Sequence, residues 1–291
     1  MISETTLGAL ASLGAAMAWA VTSLLARSLM PELTSVVINA VRSTIGGALL
    51  VAWVLATAGR GAFTGVSASA WVLLTLSIVI AVAIGDTVFF ESSRALGLGR
   101  AMTISTTYPV GAAAIAALFL GEPVTLPIAV GTLVTLAGLA LIVAPWAERA
   151  PEERFGFGVG TAALASLAWA VSTVLVKPPL AEMDAVTAQA IRLPLAVVAL
   201  APWARSAPRA LALSSRGARI RIGVLGGLTS VSSVMFVAGV KHAGVAVASV
   251  LASTAPMFAI PLAVVFLGER LTARAILGAA VTVAGIVLLQ L

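Results

Sequence analysis

The chain has 291 residues, of which 60% are hydrophobic and 10% charged, and its mean hydropathy is +1.12. An ordinary soluble domain carries about 25% charged residues, so composition excludes a soluble protein and points to one that lives in lipid. The net charge of +6 and a pI near 11.2 do not point to nucleic acid, because the basic residues sit in short loops between apolar runs and are not gathered on one face.

There is no cysteine, hence no disulfide framework and no thiolate chemistry. The opening MISETT is acidic and lacks the basic start of a signal peptide, so residues 7–29 read as an uncleaved first span. A span needs about 20 apolar residues to cross roughly 30 Å of hydrocarbon. By that measure the sequence predicts ten spans, at 7–29, 34–57, 70–92, 99–120, 126–145, 157–177, 184–203, 220–240, 245–267 and 273–291. All are expected to be helices, because lipid offers no partner to an unpaired backbone amide and the runs are too long for barrel strands. The connections leave no room for a soluble domain. The longest, 204–219, carries Arg205, Arg209, Arg216 and Arg219.

The chain is also written twice. AWAVTSLLAR at 18–27 returns as AWAVSTVLVK at 168–177, and Arg42 returns as Arg192, both at an offset of 150. Pro109 returns as Pro256, and LGE at 120–122 as LGE at 267–269, at an offset of 147. The slip falls between the second and third apolar runs. Such ordered recurrence marks a duplicated unit, here residues 1–150 and 151–291. Five spans per copy is an odd number, so the second copy enters the membrane from the opposite side. The expected fold is an all-α integral membrane protein of ten transmembrane helices, arranged as two inverted five-helix repeats, a geometry typical of transporters. Lys and Arg at the loops after the odd spans number twelve, against Arg60, Lys177 and Lys241 on the other face. The positive-inside rule then makes the odd loops cytoplasmic and places both termini outside.

Several residues could carry chemistry. Arg42 and Arg192 lie about 12 Å inside spans 2 and 7, where charge points to a bundle interior or a wet cavity. Asp86 in span 3 can reach Arg42, either as a structural ion pair or as a proton or substrate-carboxylate site. Its counterpart is Ser233, so Arg192 needs another partner, a helix carbonyl or a substrate. Span 4 reads Ser105, Thr106, Thr107, Tyr108, Pro109, and span 9 reads Ser253, Thr254, Ala255, Pro256. Each proline removes the amide that would bond the residue four back, freeing the carbonyls of Ser105 and Ala252. Such broken backbone near the midplane suits a substrate site, although the hydroxyls could equally bond back to the previous turn of a kinked helix. Tyr108, the only tyrosine, needs a partner for its phenol.

Trp19 and Trp169 are matched and deep, followed on the same face by Thr22 and Ser23, and by Ser172 and Thr173. Cavity lining and tight packing are both open to them. Phe89 and Phe236 form a second matched pair, for which core packing is the plainer reading. Glu122 and Glu269, with Thr125 and Thr272 three residues on, are expected to cap helix starts. His242 sits beside Lys241 and Gly244 at a span end, in a loop or cap role. Gly131 and Gly138 match Gly278 and Gly285 at heptad spacing, which allows close helix contact as scaffold or dimer surface. No GxxxxGK[ST] loop, HExxH or His/Cys cluster is present, so no nucleotide, metal or other cofactor is expected, and no credible enzyme nucleophile or acid pair is found.

Tandem five-helix repeats, the AWAV run in the first helix of each, the arginine of the second, the proline of the fourth and the closing LGE resemble the EamA-type transporters of the drug/metabolite transporter superfamily. The resemblance covers essentially the whole chain. It implies export of amino acids, including aromatic ones, or similar small metabolites, by alternating access through a cavity between the halves, edged by Trp19, Tyr108, Pro109, Trp169, Thr254 and Pro256. Many relatives place the N-terminus inside, whereas the charge bias here places it outside. The resulting expectation is a carrier in a bacterial inner membrane, a monomer or weak homodimer, with Thr22, Asp86, Phe89, Ser105, Thr107, Ser172, Ser233, Phe236 and Ser253 also in the substrate site. Asp86 is the candidate for proton coupling. A multidrug or nucleotide-sugar carrier is the alternative, and a channel or structural membrane subunit a more distant one.

Overall fold

The computed structural model describes residues 3–96, 98–143, 152–255, 257–258, 262 and 273–289. Among them there is helix, turn and coil, and no strand. The helices are α1 (Glu4–Leu29), α2 (Ser35–Thr57), α3 (Gly61–Thr64), α4 (Ala68–Ile78), α5 (Thr87–Leu96), α6 (Leu98–Ser105), α7 (Tyr108–Leu120), α8 (Leu126–Val143), α9 (Glu152–Val176), α10 (Ala185–Leu200), α11 (Ala207–Leu213), α12 (Arg216–Ala243), α13 (Val245–Ala252) and α14 (Ala273–Leu288). A π-helical segment, Val79–Asp86, joins α4 to α5 in one continuous rod. Among the described residues five helices, counting that rod as one, are long and apolar enough to cross a membrane. Their outward faces carry bulky apolar side chains such as Trp53 and Leu167, 62% and 57% exposed, as lipid requires.

The sequence differs from the structure mainly where proline intervenes. Residues 99–120 are expected as one span, yet two helices occupy them, parted at Thr106 and Thr107. The cause is local: Tyr108 and Pro109 are the first two residues of α7, positions where a missing amide costs a helix nothing. In the loop expected at 204–219, the short α11 forms instead.

The two copies exchange partners. Helix α1 lies antiparallel on α12 of the other copy: Glu4 Oε2 is 3.5 Å from His242 Nδ1 at one end, and Arg221 reaches the Ser28 carbonyl at 3.0 Å at the other. Its counterpart α9 lies antiparallel on the α4–α5 rod, with Ser92 Oγ donating to the Gly158 carbonyl at 2.8 Å. Helix α2 packs on its own counterpart α10, where Gly46 and Gly47 admit Leu193 and Pro194. Helix α8 packs likewise on α14. A Cβ at Gly138 would fall on Thr282, and one at Gly131 would lie 2.9 Å from the Gly285 carbonyl. The heptad glycines thus serve as an internal seam, the scaffold use of the two the sequence left open.

Helix caps also cross between copies. Glu32 accepts from Ser215 N at 2.8 Å and Ser215 Oγ at 3.1 Å. Glu182, 150 residues on, accepts from Ser67 N at 2.9 Å and Ser67 Oγ at 2.7 Å. Arg27 Nη1 donates to the Ser93 carbonyl at 3.3 Å, matched by Lys177 Nζ to the Val240 carbonyl at 2.8 Å. Arg94 donates to the Leu33 carbonyl and Lys241 to the Met183 carbonyl. Glu122 caps as expected but in another place. Thr125 Oγ1 accepts from Ile128 N at its own corner, whereas the Glu122 carboxylate accepts from Val245 N at 2.9 Å. Helix α13 starts after Gly244, whose φ is +84° and which offers no side-chain cap, so its first amides need a distant carboxylate. Glu269 and Thr272 lie outside the described residues.

The π segment accounts for part of the slip in the repeat. From N-cap Ser67 to its counterpart Ser215 the offset is 148, and from Phe89 to Phe236 it is 147. The first copy therefore holds one extra residue in this helix, which is what a π-bulge accommodates, while α12 is α-helical throughout.

The crossed caps generate a prediction. The Ser215 and Ser67 backbone amides hold the Glu32 and Glu182 carboxyls below the usual glutamate range. A depressed folded pKa adds stability that is complete above the unfolded value of about 4.3 and is lost as pH falls through the folded value. Glu32→Gln and Glu182→Gln are therefore expected to lower the thermal midpoint in detergent at pH 7. Their deficit should shrink on acidification below about pH 4; a deficit unchanged by acid would show that the caps do not act through charge. Filling the seam with Gly138→Leu should cost about 1–3 kcal/mol or more by overpacking, read in the same assay.

Candidate functional site

Between the copies lies a cavity of about 190 Å³. An apolar cavity of about 150 Å³ admits benzene, so there is room here for one ring with a polar substituent. Side chains of both copies form its wall.

The aromatic wall is built in matched pairs. Trp19 stands 5.1 Å from Phe236 with the rings inclined at 44°, and Trp169 stands 5.2 Å from Phe89 at 52°. Each pair joins a ring from each copy, and all four rings line the cavity. Tyr108 approaches Trp169 edge-on at 6.0 Å. Its hydroxyl donates to the Ser249 carbonyl at 3.0 Å, which ties α7 to α13 and answers the need for a phenol partner.

The polar wall departs from that symmetry. Asp86, the last residue of the π segment, pairs through Oδ2 with Arg42 and accepts from Trp169 Nε1 through Oδ1 at 2.8 Å. The Arg42 and Asp86 side chains are 13% and 19% exposed, turned to the cavity. Gly85 lets the indole in, since a Cβ there would lie 2.8 Å from Trp169 Nε1. Arg42 Nε also donates to Asn39 Oδ1 at 2.8 Å, and Asn39 Nδ2 to Thr87 Oγ1 at 3.1 Å. Arg192 is 4% exposed. The sequence left a helix carbonyl or a substrate open as its partner; in the structure it donates to Ser77 Oγ at 3.0 Å, Gln189 Oε1 at 3.0 Å and Ser172 Oγ at 3.3 Å. Three neutral side chains from α4, α10 and α9 converge at its depth, while the carbonyls of intact helices are already occupied by their own ladders. Gln189 in turn donates to the Ser233 carbonyl at 3.0 Å.

The hydroxyls beside the helix breaks bond back to the preceding turn. Ser105 donates to the Ala101 carbonyl and Thr106 to that of Met102, both at depth in the wall. Ser253 donates to the Val250 carbonyl and also lines the cavity. Thr22, Ser172 and Ser233 line it too. Three expected residues stand elsewhere. Thr107 is exposed and shares a hydrogen bond of 3.1 Å with Ser166, because the break at 106–107 turns it away from the wall. Pro109 is buried but its ring, packed at the start of α7, lies outside the wall, as does Thr254, which donates to the Leu251 carbonyl and is fully enclosed. Pro256 lies outside the described residues.

Sequence reasoning missed Asn39 and Gln189, although the signal was present: they recur at the offset of 150, each three residues before its arginine, the spacing of neighbours on one helix face. It also missed the indole on Asp86, for which one chain's spacing gives no sign. Among the described residues no group of three His, Cys, Asp or Glu is placed to hold a metal ion.

The two tryptophans should respond differently to loss of the ring N–H. Trp169→Phe keeps an aromatic ring but strips one acceptor contact from Asp86, and is expected to cost about 1–3 kcal/mol of stability. Trp19→Phe, which breaks no hydrogen bond of that kind, should cost much less; equal costs would refute the asymmetry.

The sequence model of the EamA-like transporter family matches residues 6–144 and 156–291, once in each copy. A solved structure described only as "Crystal structure of protein" is similar over 100% of this chain and 99% of its own, with a TM-score of 0.80 and 19% sequence identity. At that identity the likeness shows the fold. No curated protein matches. With both copies matched over nearly their full length, the chain belongs to the EamA-like transporter family, which makes it a multi-pass membrane transporter of small molecules.

Proposed function

We propose that this transporter exports amino acids, aromatic ones included, or closely similar small metabolites by alternating access. In this reading residues 1–150 and 151–291 are two inverted halves of five spans each, ten in all, that rock about the cavity. Support for the inversion comes from the partner exchange: α1 and α9 each run antiparallel to a helix of the other half, and the matched caps Glu32 to Ser215 and Glu182 to Ser67 occur once in each pairing. We read the shorter helices α6 with α7, α8, α10 and α14 as further spans and α13 as the start of the ninth.

The observation that carries the proposal is the wall itself. Rings from both halves, an arginine from each half and the two helix breaks meet in one cavity, so relative motion of the halves would open and close it. Trp19, Phe89, Tyr108, Trp169 and Phe236 would hold an apolar or aromatic body. Thr22, Asp86, Ser105, Ser172, Ser233 and Ser253 would take polar substituents, with Thr107, Pro109, Thr254 and Pro256 supporting the breaks. We read the chain as a carrier of a bacterial inner membrane with both termini periplasmic, an orientation that the basic odd loops support. Because the glycine seam is used internally, a monomer is the natural unit.

Counterflow into proteoliposomes tests this directly. Vesicles loaded with unlabelled amino acids should take up labelled aromatic ones in a saturable, competable manner with no imposed gradient; silence across the panel with folded protein would refute amino-acid transport. Tyr108→Ala and Trp169→Ala should each cut exchange about tenfold or more, as expected for buried aromatic anchors. If protons are coupled at Asp86, Asp86→Asn removes the dependence on a pH gradient while leaving exchange measurable. Retained dependence would take the proton elsewhere.

A further inference from the structure

Among the described residues the cavity wall holds three charged groups: Arg42, Asp86 and Arg192. Arginine stays protonated in proteins. Asp86 has both oxygens engaged, one by the Arg42 guanidinium and one by the Trp169 indole. One positive charge is therefore left over, and its seat is Arg192. That side chain is 4% exposed, and its hydrogen bonds to Ser77, Gln189 and Ser172 go to neutral groups and use three of its five donors. A buried cation held this way is costly unless an anion completes it.

A second observation is independent of charge. Ser43 Oγ is fully buried, lines the same cavity, and has no hydrogen-bond partner. A buried hydroxyl left unbonded costs free energy that an acceptor oxygen would recover. The guanidinium calls for an anion and the hydroxyl for an acceptor oxygen, and a carboxylate supplies both. A phosphate monoester brings nearly two charges and would overshoot. A zwitterion leaves the wall's surplus uncompensated and adds an ammonium beside two guanidiniums.

We propose, resting on the transport reading above, that the preferred substrates are monoanionic aromatic carboxylates rather than zwitterionic amino acids, with Arg192 and Ser43 binding the carboxylate and the crossed Trp and Phe pairs holding the ring. No amino group is required for recognition.

The test uses three ligands that share a phenyl body and differ in charge at neutral pH: phenylpropanoate (anion), phenylalanine (zwitterion) and phenethylamine (cation). Binding is measured by calorimetry on the purified full chain in detergent, which avoids passive diffusion of the uncharged acid across a bilayer. The anion should bind about tenfold or more tighter than phenylalanine, and the amine weakest. Arg192→Lys, which keeps the charge but loses the planar fork, should weaken the anion about tenfold and leave the amine unchanged. Ser43→Ala should weaken the anion about threefold or more without shifting the thermal midpoint downward. Phenylalanine binding as tightly as the anion, or tighter, would overturn this inference and leave amino-acid transport standing. The amine binding tightest would overturn it in favour of an aromatic cage for cations. No binding by any of the three, with silent counterflow, would overturn both this inference and the amino-acid reading it rests on. Should Arg192→Lys fail to fold, the ligand ranking on the unaltered protein and the Ser43→Ala result decide.

Discussion

Asp86 accepts one hydrogen bond from Arg42 of its own half and one from Trp169 of the other. Three helices that share no sequence neighbourhood, α2, the α4–α5 rod and α9, are fixed against one another at that carboxylate. In hydrocarbon a lone carboxylate or guanidinium is so unfavourable that each must find its partners inside the protein, and the arrangement of the halves follows from that demand. Trp169, held by Asp86, stands against Phe89 at that point. Ser172, on the helix that carries Trp169, then arrives beside Arg192.

The same demand explains why the halves are interlaced and not merely adjacent. Beside local caps such as Thr34, Ser67 and Asp184, Glu32, Glu122 and Glu182 each cap a helix start in the other copy. Arg27, Lys177, Arg94 and Lys241 then fasten carbonyls within their own copies at matched positions. A half on its own would carry unsatisfied amides at depth or at the interface, where each is expensive. The repeat therefore reads as a pair of incomplete units that complete each other.

Much of this was legible in the chain. The doubled AWAV run, the matched arginines and the LGE corners made the two repeats legible, and Asp86 meeting Arg42 followed from depth. The capping role of Glu122 was legible in kind but not in target, because a carboxylate three residues before a threonine looks like a local cap. The true target, Val245, lies 123 residues away. Thr107 and Thr254 were placed in the cavity by their proximity to proline, yet a break redirects side chains through backbone angles that sequence spacing does not encode. The Trp169 indole on Asp86 was invisible for a related reason: it depends on an inserted residue turning the carboxylate and on Gly85 leaving space.

That inserted residue has a mechanical consequence. A π segment has a poorer hydrogen-bond ladder than the α-helix around it, and helices bend most readily at such points. The third helix of the first half thus has a soft joint between Val79 and Asp86, while its twin α12 is regular over 28 residues. Flexure there would swing Asp86 relative to Ser77, the residue one side of the joint that steadies Arg192, and so would be felt at both guanidiniums together. The two halves are alike in outline and unlike in stiffness, and bending strain will gather in the first.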